Sequence, residues 1–261
     1  MTSKKLFEFL EDFWGNCNIK KGEMLLLHSN LFRLIYQCKK IDKKADIPDI
    51  FESLISALGS DGTLIFPTFN FQFIKEKKFD YIDSKSEMGP LSEFARTKIK
   101  SIRTKHPVYS FCVYGKNKSL FSNIDNISAF SKHSPFDLLK KYNGKIGILD
   151  LDDQRSMTYY HYIEELNEVH YRFHKKFSGI YVGPDRIQEK KTYEIFVRNL
   201  NKNIITNVNP AGEYLWEKKI YKGSRPGTGT GFRIASSVEI YDCISEIIQK
   251  KQEEKYLYKI K

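Results

Sequence analysis

Hydrophobic positions recur along the chain at two spacings. Residues 3–14 place Leu6, Phe7, Leu10 and Trp14 on one helical face. Residues 23–29, EMLLLHS, are an apolar run of strand length ending in polar residues. Residues 46–58 predict a second helix, with Pro48 in its first turn and Gly59 just past its end. Asp61-Gly62 marks a turn into a strand over 62–67 that Pro67 stops. Residues 69–88 show no firm period and read as a long excursion of lid type. Short helices follow over 90–97 and 135–141, strands over 109–114 and 145–151, a helix over 157–169 and a strand over 192–198. Ser236 and Glu239 match a capping box for a closing helix that runs to residue 250. Strands alternating with helices predict an α/β fold with a mainly parallel central sheet flanked by helices. With no repeat, linker or low-complexity segment, one domain over residues 1–261 is the simplest organisation.

Composition narrows the class. At 261 residues, 41% hydrophobic and 29% charged, the chain has a globular balance. Its four cysteines show no CxxC or CxH spacing, which excludes a disulfide framework or zinc finger and predicts reduced thiols. The charged, amphipathic start lacks a signal-peptide core, and no run approaches the ~20 apolar residues of a membrane span. A cytoplasmic protein without membrane contact is expected. The net charge of +11 suits an anionic partner, but lysines outnumber arginines 34 to 9, so a general lysine bias accounts for it equally. Without a long basic run, a non-enzymatic nucleic-acid-binding protein is only the different-class alternative.

In an open α/β sheet, ligands sit at the carboxyl ends of strands. Polar residues there include His28-Ser29, Pro67-Thr68, and Asp150, Asp152 and Asp153. Thr158, His161 and Glu164 then follow at i, i+3, i+6 along one helix face. A histidine one turn from a carboxylate can be oriented and supported as a general base. The bland alternative is a histidine capping a core edge. Arg103, Lys105, His106 and Ser110 form a second polar segment, suited to phosphates or to a solvated loop. Residues 133–136 read as a simple helix cap. The glycines over 227–231 lack the GK[ST] ending of a P-loop and read as a flexible turn. The absence of a G-x-S-x-G elbow argues against a hydrolase built on Ser110 or Cys112.

Taken in order, LLLHSNL, GTLIFPTF, GPLSEFAR, RTKHPVYS, SPFDLL, GKIGIL and TYYHYIEE resemble the aminoglycoside 3-N-acetyltransferase family, which is distinct from the GNAT acetyltransferases. The resemblance covers residues 21–165 and returns faintly from residue 212. It implies the antibiotic N-acetyltransferase fold and an acyl-CoA-dependent N-acyltransferase using acetyl-CoA or another short acyl-CoA, with no metal. By the same resemblance His161 is the catalytic base, flanked by Thr158 and Glu164, with Glu213 of PAGEYLW as a second acid. His28, Ser29, Leu31, Pro67, Thr68, Arg103, Lys105, His106 and Ser110 map to the CoA cleft. Thr158, with Asp152 and Asp153 as part of an acidic pocket suited to an ammonium, is expected on the acceptor side. The chain departs from the family at LDLDD, where a glycine-rich turn is usual, and over 172–207, in the half of the chain where the resemblance implies most of the acceptor pocket. The expected acceptor is a primary amine of an amino sugar, nucleotide-linked because a field of +11 attracts a diphosphate. Aminoglycoside 3-N-acetylation, conferring antibiotic resistance, is the alternative. A small-molecule amine and acyl-CoA are thus the expected partners, with a homo-oligomer left open.

Overall fold

The computed structural model describes residues 3–98 and 100–261. Helix α1 (Lys4–Gly15), whose N-cap Ser3 accepts from the Leu6 N–H, leads to strand β1 (Met24–Ser29) and helices α2 (Phe32–Ile41) and α3 (Ile47–Leu58). Next come β2 (Thr63–Pro67), α4 (Gln72–Glu76), β3 (Lys78–Asp80), α5 (Pro90–Thr97), β4 (Ile102–Arg103) and β5 (Phe111–Gly115). Helix α6 (Pro135–Lys141), β6 (Lys145–Leu149), α7 (Asp153–Ser156) and α8 (Tyr159–Leu166) follow. Strands β7 (Arg172–Val182) and β8 (Gln188–Arg198) make a long hairpin, followed by β9 (Ile204–Thr206) and α9 (Asn209–Glu217). The chain closes through β10 (Lys222–Gly223), β11 (Phe232–Ser236), α10 (Ser237–Gln249), α11 (Glu253–Tyr256) and β12 (Tyr258–Ile260).

The central sheet runs β10-β11-β6-β1-β2-β5-β4. Its middle strands β6, β1 and β2 are parallel, and the flanking strands pair antiparallel. This is the α/β sheet flanked by helices that the alternation predicts, with its parallel character in the centre. Successive side chains of a strand point to opposite faces, and both faces here are covered. Leu25, Leu27, Leu64 and Phe66 pack with Leu10 and Trp14 of α1, Ile50 and Leu54 of α3 and Leu91 of α5. Met24, Leu26, Ile65 and Ile148 pack the other way, with Phe136 of α6, Tyr159 and Tyr162 of α8 and Ile244 of α10. Burial on both faces explains why β1 reads as a continuous apolar run instead of an alternating one.

Three sequence expectations change. Residues 69–88 are not a lid: Phe69, Phe73 and Phe79 are buried in the core, and β3 pairs with β7. The helix expected over 157–169 is shorter: α8 starts at Tyr159, because Met157 leaves the helical region (ψ 56°) and separates it from the short α7, and it ends at Leu166. The glycines over 227–231 form a held turn: Asp150 Oδ1 accepts from the Gly227 N–H (2.8 Å), and the Asp150 N–H donates to the Gly231 carbonyl (2.9 Å).

Candidate active site

Helix α8 packs Tyr159, Tyr162 and Ile163 into the core and turns His161 toward the hairpin side. His161 Nδ1 lies 2.7 Å from Glu164 Oε2, the contact that i, i+3 spacing on a helix allows. Glu164 is completely buried. Its Oε1 accepts from the Tyr171 hydroxyl at 2.8 Å, and its Oε2 also faces Arg172 Nε at 2.8 Å, an ion pair without hydrogen-bond alignment. Burial alone would raise the Glu164 carboxyl, but Arg172, His161 and Tyr171 together outweigh it and hold it below the usual range. Burial, reinforced by Arg172, also lowers the His161 imidazole against the pull of Glu164. An ionised Glu164 fixes the proton on Nδ1 and leaves the Nε2 lone pair free to accept one.

His161 borders a cavity of about 580 Å³. Phe130, Phe173, Phe177 and Phe196 supply apolar walls, and Arg172, Lys175 and Arg198 supply charge. The Phe130 ring meets the His161 ring edge-on at a centroid distance of 5.4 Å. Most of this wall comes from the β7–β8 hairpin and the residues just after it.

A second cavity, about 520 Å³, opens at the carboxyl ends of the parallel strands. His28, Ser29, Leu31 and Pro67 line it, joined by the first residues of α2 and α5 and by Arg155. His28 is buried, and among the described residues its Nε2 has no hydrogen-bond partner. Burial, with the positive charge of Arg233, pushes its pKa down to about 3, so the ring is neutral. The two cavities share no lining residue.

Several expected site residues sit elsewhere. Arg103 does not reach this cleft: its guanidinium donates inside the protein to Ser110 Oγ, Thr68 O, Tyr81 O and Ser84 O. Thr68 and Ser110 are fully buried and bond each other at 3.0 Å. His106 is fully buried too, accepting the Tyr109 N–H on Nδ1 (3.0 Å), with Nε2 3.3 Å from the Glu194 carbonyl. Lys105 is partly exposed and lies 4.0 Å from Asp125. Glu213 pairs with Arg225 at 2.6 Å and borders neither cavity, so Glu164 is the carboxylate beside His161. Asp152 caps α7 and pairs with Arg155 at 3.0 Å. Asp153 is buried, accepting from Tyr160, Tyr221 and Arg233. Thr158 contributes its carbonyl to the His161 N–H (3.0 Å), and its side chain makes no cap bond.

Sequence reasoning missed Tyr171, Arg172 and Arg198, which lie outside the motif-bearing stretch. Arginine's scarcity was the available signal: in a chain with 34 lysines and 9 arginines, each arginine marks a position where a lysine is not used.

A family model described as aminoglycoside 3-N-acetyltransferase matches residues 26–249. The fold resembles that of AAC-IIIb in its binary complex with CoASH, at TM-score 0.77 and 15% identity, covering 94% of this chain and 96% of that one. It also resembles aminoglycoside acetyltransferase AAC(3)-IIb (TM-score 0.78, 16% identity, 94% and 96% covered) and YokD from Bacillus subtilis (0.73, 18%, 93% and 98%). No curated protein sequence matches. The family match spans most of the chain, and the folds coincide over nearly all of it. The chain therefore belongs to the aminoglycoside 3-N-acetyltransferase family, and it is an acyl-CoA-dependent N-acetyltransferase.

Proposed function

We propose that the chain transfers an acyl group to an amine of an amino sugar, with His161 as general base. The carrying observation is the His161–Glu164 pair, with Nδ1 engaged and Nε2 left for the cavity. The strand-end cavity suits acyl-CoA. Arg155 adds a cation at its rim, and among the described residues the buried His28 Nε2 lacks a partner. Arg155 thus replaces Arg103 as the cation of the CoA reading. When bound, acyl-CoA supplies a thioester carbonyl open to attack by an amine. His161 Nε2 takes the proton that the amine loses as its nitrogen bonds to carbon, and returns it to sulfur as the C–S bond breaks. Glu164 keeps the ring in the receptive tautomer and supports its charged form, while Tyr171 and Arg172 hold Glu164.

An aminoglycoside acceptor is the second reading. Family membership favours it over a nucleotide-linked sugar, as does the relative AAC-VIa, whose structure holds bound sisomicin. The deciding experiment is CoA release from acetyl-CoA with a panel of amines. His161→Asn should keep CoA binding and lose turnover by ~10²–10⁴-fold, the usual contribution of a positioned base. Wild-type kcat in this variant would remove His161 from the mechanism.

A further inference from the structure

The His161 cavity is walled by charge of one sign. Arg172, Lys175 and Arg198 line it, and no carboxylate does. The nearby Glu164 is buried behind His161 and already balances Arg172. Arg198 has no such counterpart. It is exposed, and among the described residues nothing pairs with it, hydrogen-bonds it or stacks on it. The contrast within the chain is sharp. It has nine arginines, and each of the other eight finds a protein acceptor, from Arg33 on Asp150 to Arg233 on Asp153. Arg198 also stands directly opposite Arg172 across the β7–β8 ladder. Like charges in that arrangement are unfavourable, and only one of this pair is compensated. Lys175 adds a third cation; its Nζ rests 5.6 Å from the centre of the Phe177 ring without a carboxylate in ion-pair range.

We propose that the acceptor bears an anionic oxygen group, a phosphate or a carboxylate, which Arg198 binds while its amine meets His161. This inference rests on the acyl-transfer reading above and adds the acceptor's charge. A guanidinium takes two oxygens of either group in parallel hydrogen bonds. The bound anion supplies the missing counter-charge beside Arg172. A polycationic acceptor finds only like charge on this wall.

The test uses the full chain with acetyl-CoA and four amines: glucosamine, glucosamine 6-phosphate, muramic acid and sisomicin. Calorimetric binding of the first two is measured alongside CoA release. Glucosamine 6-phosphate or muramic acid should exceed glucosamine by about tenfold or more in kcat/KM, the scale of one charge-assisted hydrogen bond. The preferred member of that pair identifies the group. The preference should collapse in Arg198→Gln and in Arg198→Gln with Lys175→Gln, and calorimetry should show the same loss. Equal use of charged and uncharged amines, or a preference for sisomicin, overturns the inference. So does a variant that raises the acetyl-CoA KM and leaves the amine ratio intact, because the cations then serve the co-substrate. Failure of the acyl-transfer reading looks different: no amine, charged or not, releases CoA. The calorimetric ratio still decides the charge question in that case.

Discussion

Arg172 Nε stands 2.8 Å from Glu164 Oε2, and His161 Nδ1 stands 2.7 Å from the same oxygen. One carboxylate oxygen therefore serves a permanent cation and a titrating ring together. The arrangement orients the ring without making it a strong base in the ground state. Burial and Arg172 both oppose the imidazolium, so the ring stays neutral around pH 7 with Nε2 unprotonated.

That balance sets the acid limb of the pH profile. In the wild type, kcat/KM for the amine should rise with pH through an inflection below the ordinary imidazole value of ~6.5. Arg172→Gln removes a lowering influence on the ring, so the inflection should move to higher pH. A profile unchanged by the substitution would show that Arg172 does not tune the ring.

Glu164→Gln should be expensive for the fold as well as for turnover. The variant leaves the Arg172 charge, whose side chain is only 5% exposed, without a counter-charge. Breaking a buried pair by removing one partner destabilises by roughly 3–5 kcal/mol. Urea unfolding at pH 7 reads this directly, and a loss below about 1 kcal/mol, the range of an exposed pair, would contradict it.

His106 and His28 should make the protein acid-sensitive before its carboxylates do. Burial pushes their pKa values down to about 4 and about 3, while the unfolded chain protonates histidine near ~6.5. Between these values the unfolded state binds more protons, so stability is complete above ~6.5 and falls as pH drops through that window. For His106 alone the full effect is roughly 3 kcal/mol. His106→Asn, whose amide oxygen can still accept a backbone N–H, should flatten the dependence of unfolding free energy on pH between 6.5 and 4. An equally steep curve in the variant would refute this.

Asp153 separates a structural role from an acceptor role. It accepts from two tyrosine hydroxyls and from Arg233, which is 1% exposed. Asp153→Ala should cost roughly 3–5 kcal/mol by stranding that guanidinium. Asp153→Asn, which retains an acceptor oxygen, should lose less and leave the acceptor KM unchanged. A raised KM with intact stability would return Asp153 to the acceptor pocket.

The sequence made the central frame readable where local signals agreed with the packing. Pro48, Pro90 and Pro135 each open a helix, and Asp46 with Asp49 forms a full capping box. Ser236 caps α10 through the Val238 and Glu239 N–H groups. Strands β1, β2 and β6 stood out because burial on both faces makes them uniformly apolar. Strand β11 was hidden by Arg233, a charge that only its partner Asp153, far away in sequence, makes tolerable. Hairpin β7–β8 was hidden by its solvent-facing lysines, so only the apolar end of β8 was visible. Helix α2 has Leu31 at its N-cap position, and the side chain that takes its first N–H, that of Asn30, stands one residue earlier than the usual start signal. At the site, His161 and Glu164 lie one helical turn apart and were legible. Arg172 and Arg198 became site residues only through hairpin register and burial. Arg103 misled because a basic loop and a buried guanidinium look identical in sequence.

On the mechanism proposed above, chemistry and selection occupy different stretches of this chain: helix α8 carries the base and its carboxylate, and hairpin β7–β8 carries the three cations of the cavity wall. Recombination that exchanges the hairpin therefore imports a new acceptor preference into an old reaction centre in a single event. One position resists such exchange. Arg172 opens the hairpin yet neutralises Glu164, so a graft lacking an arginine there disables the centre it was meant to redirect.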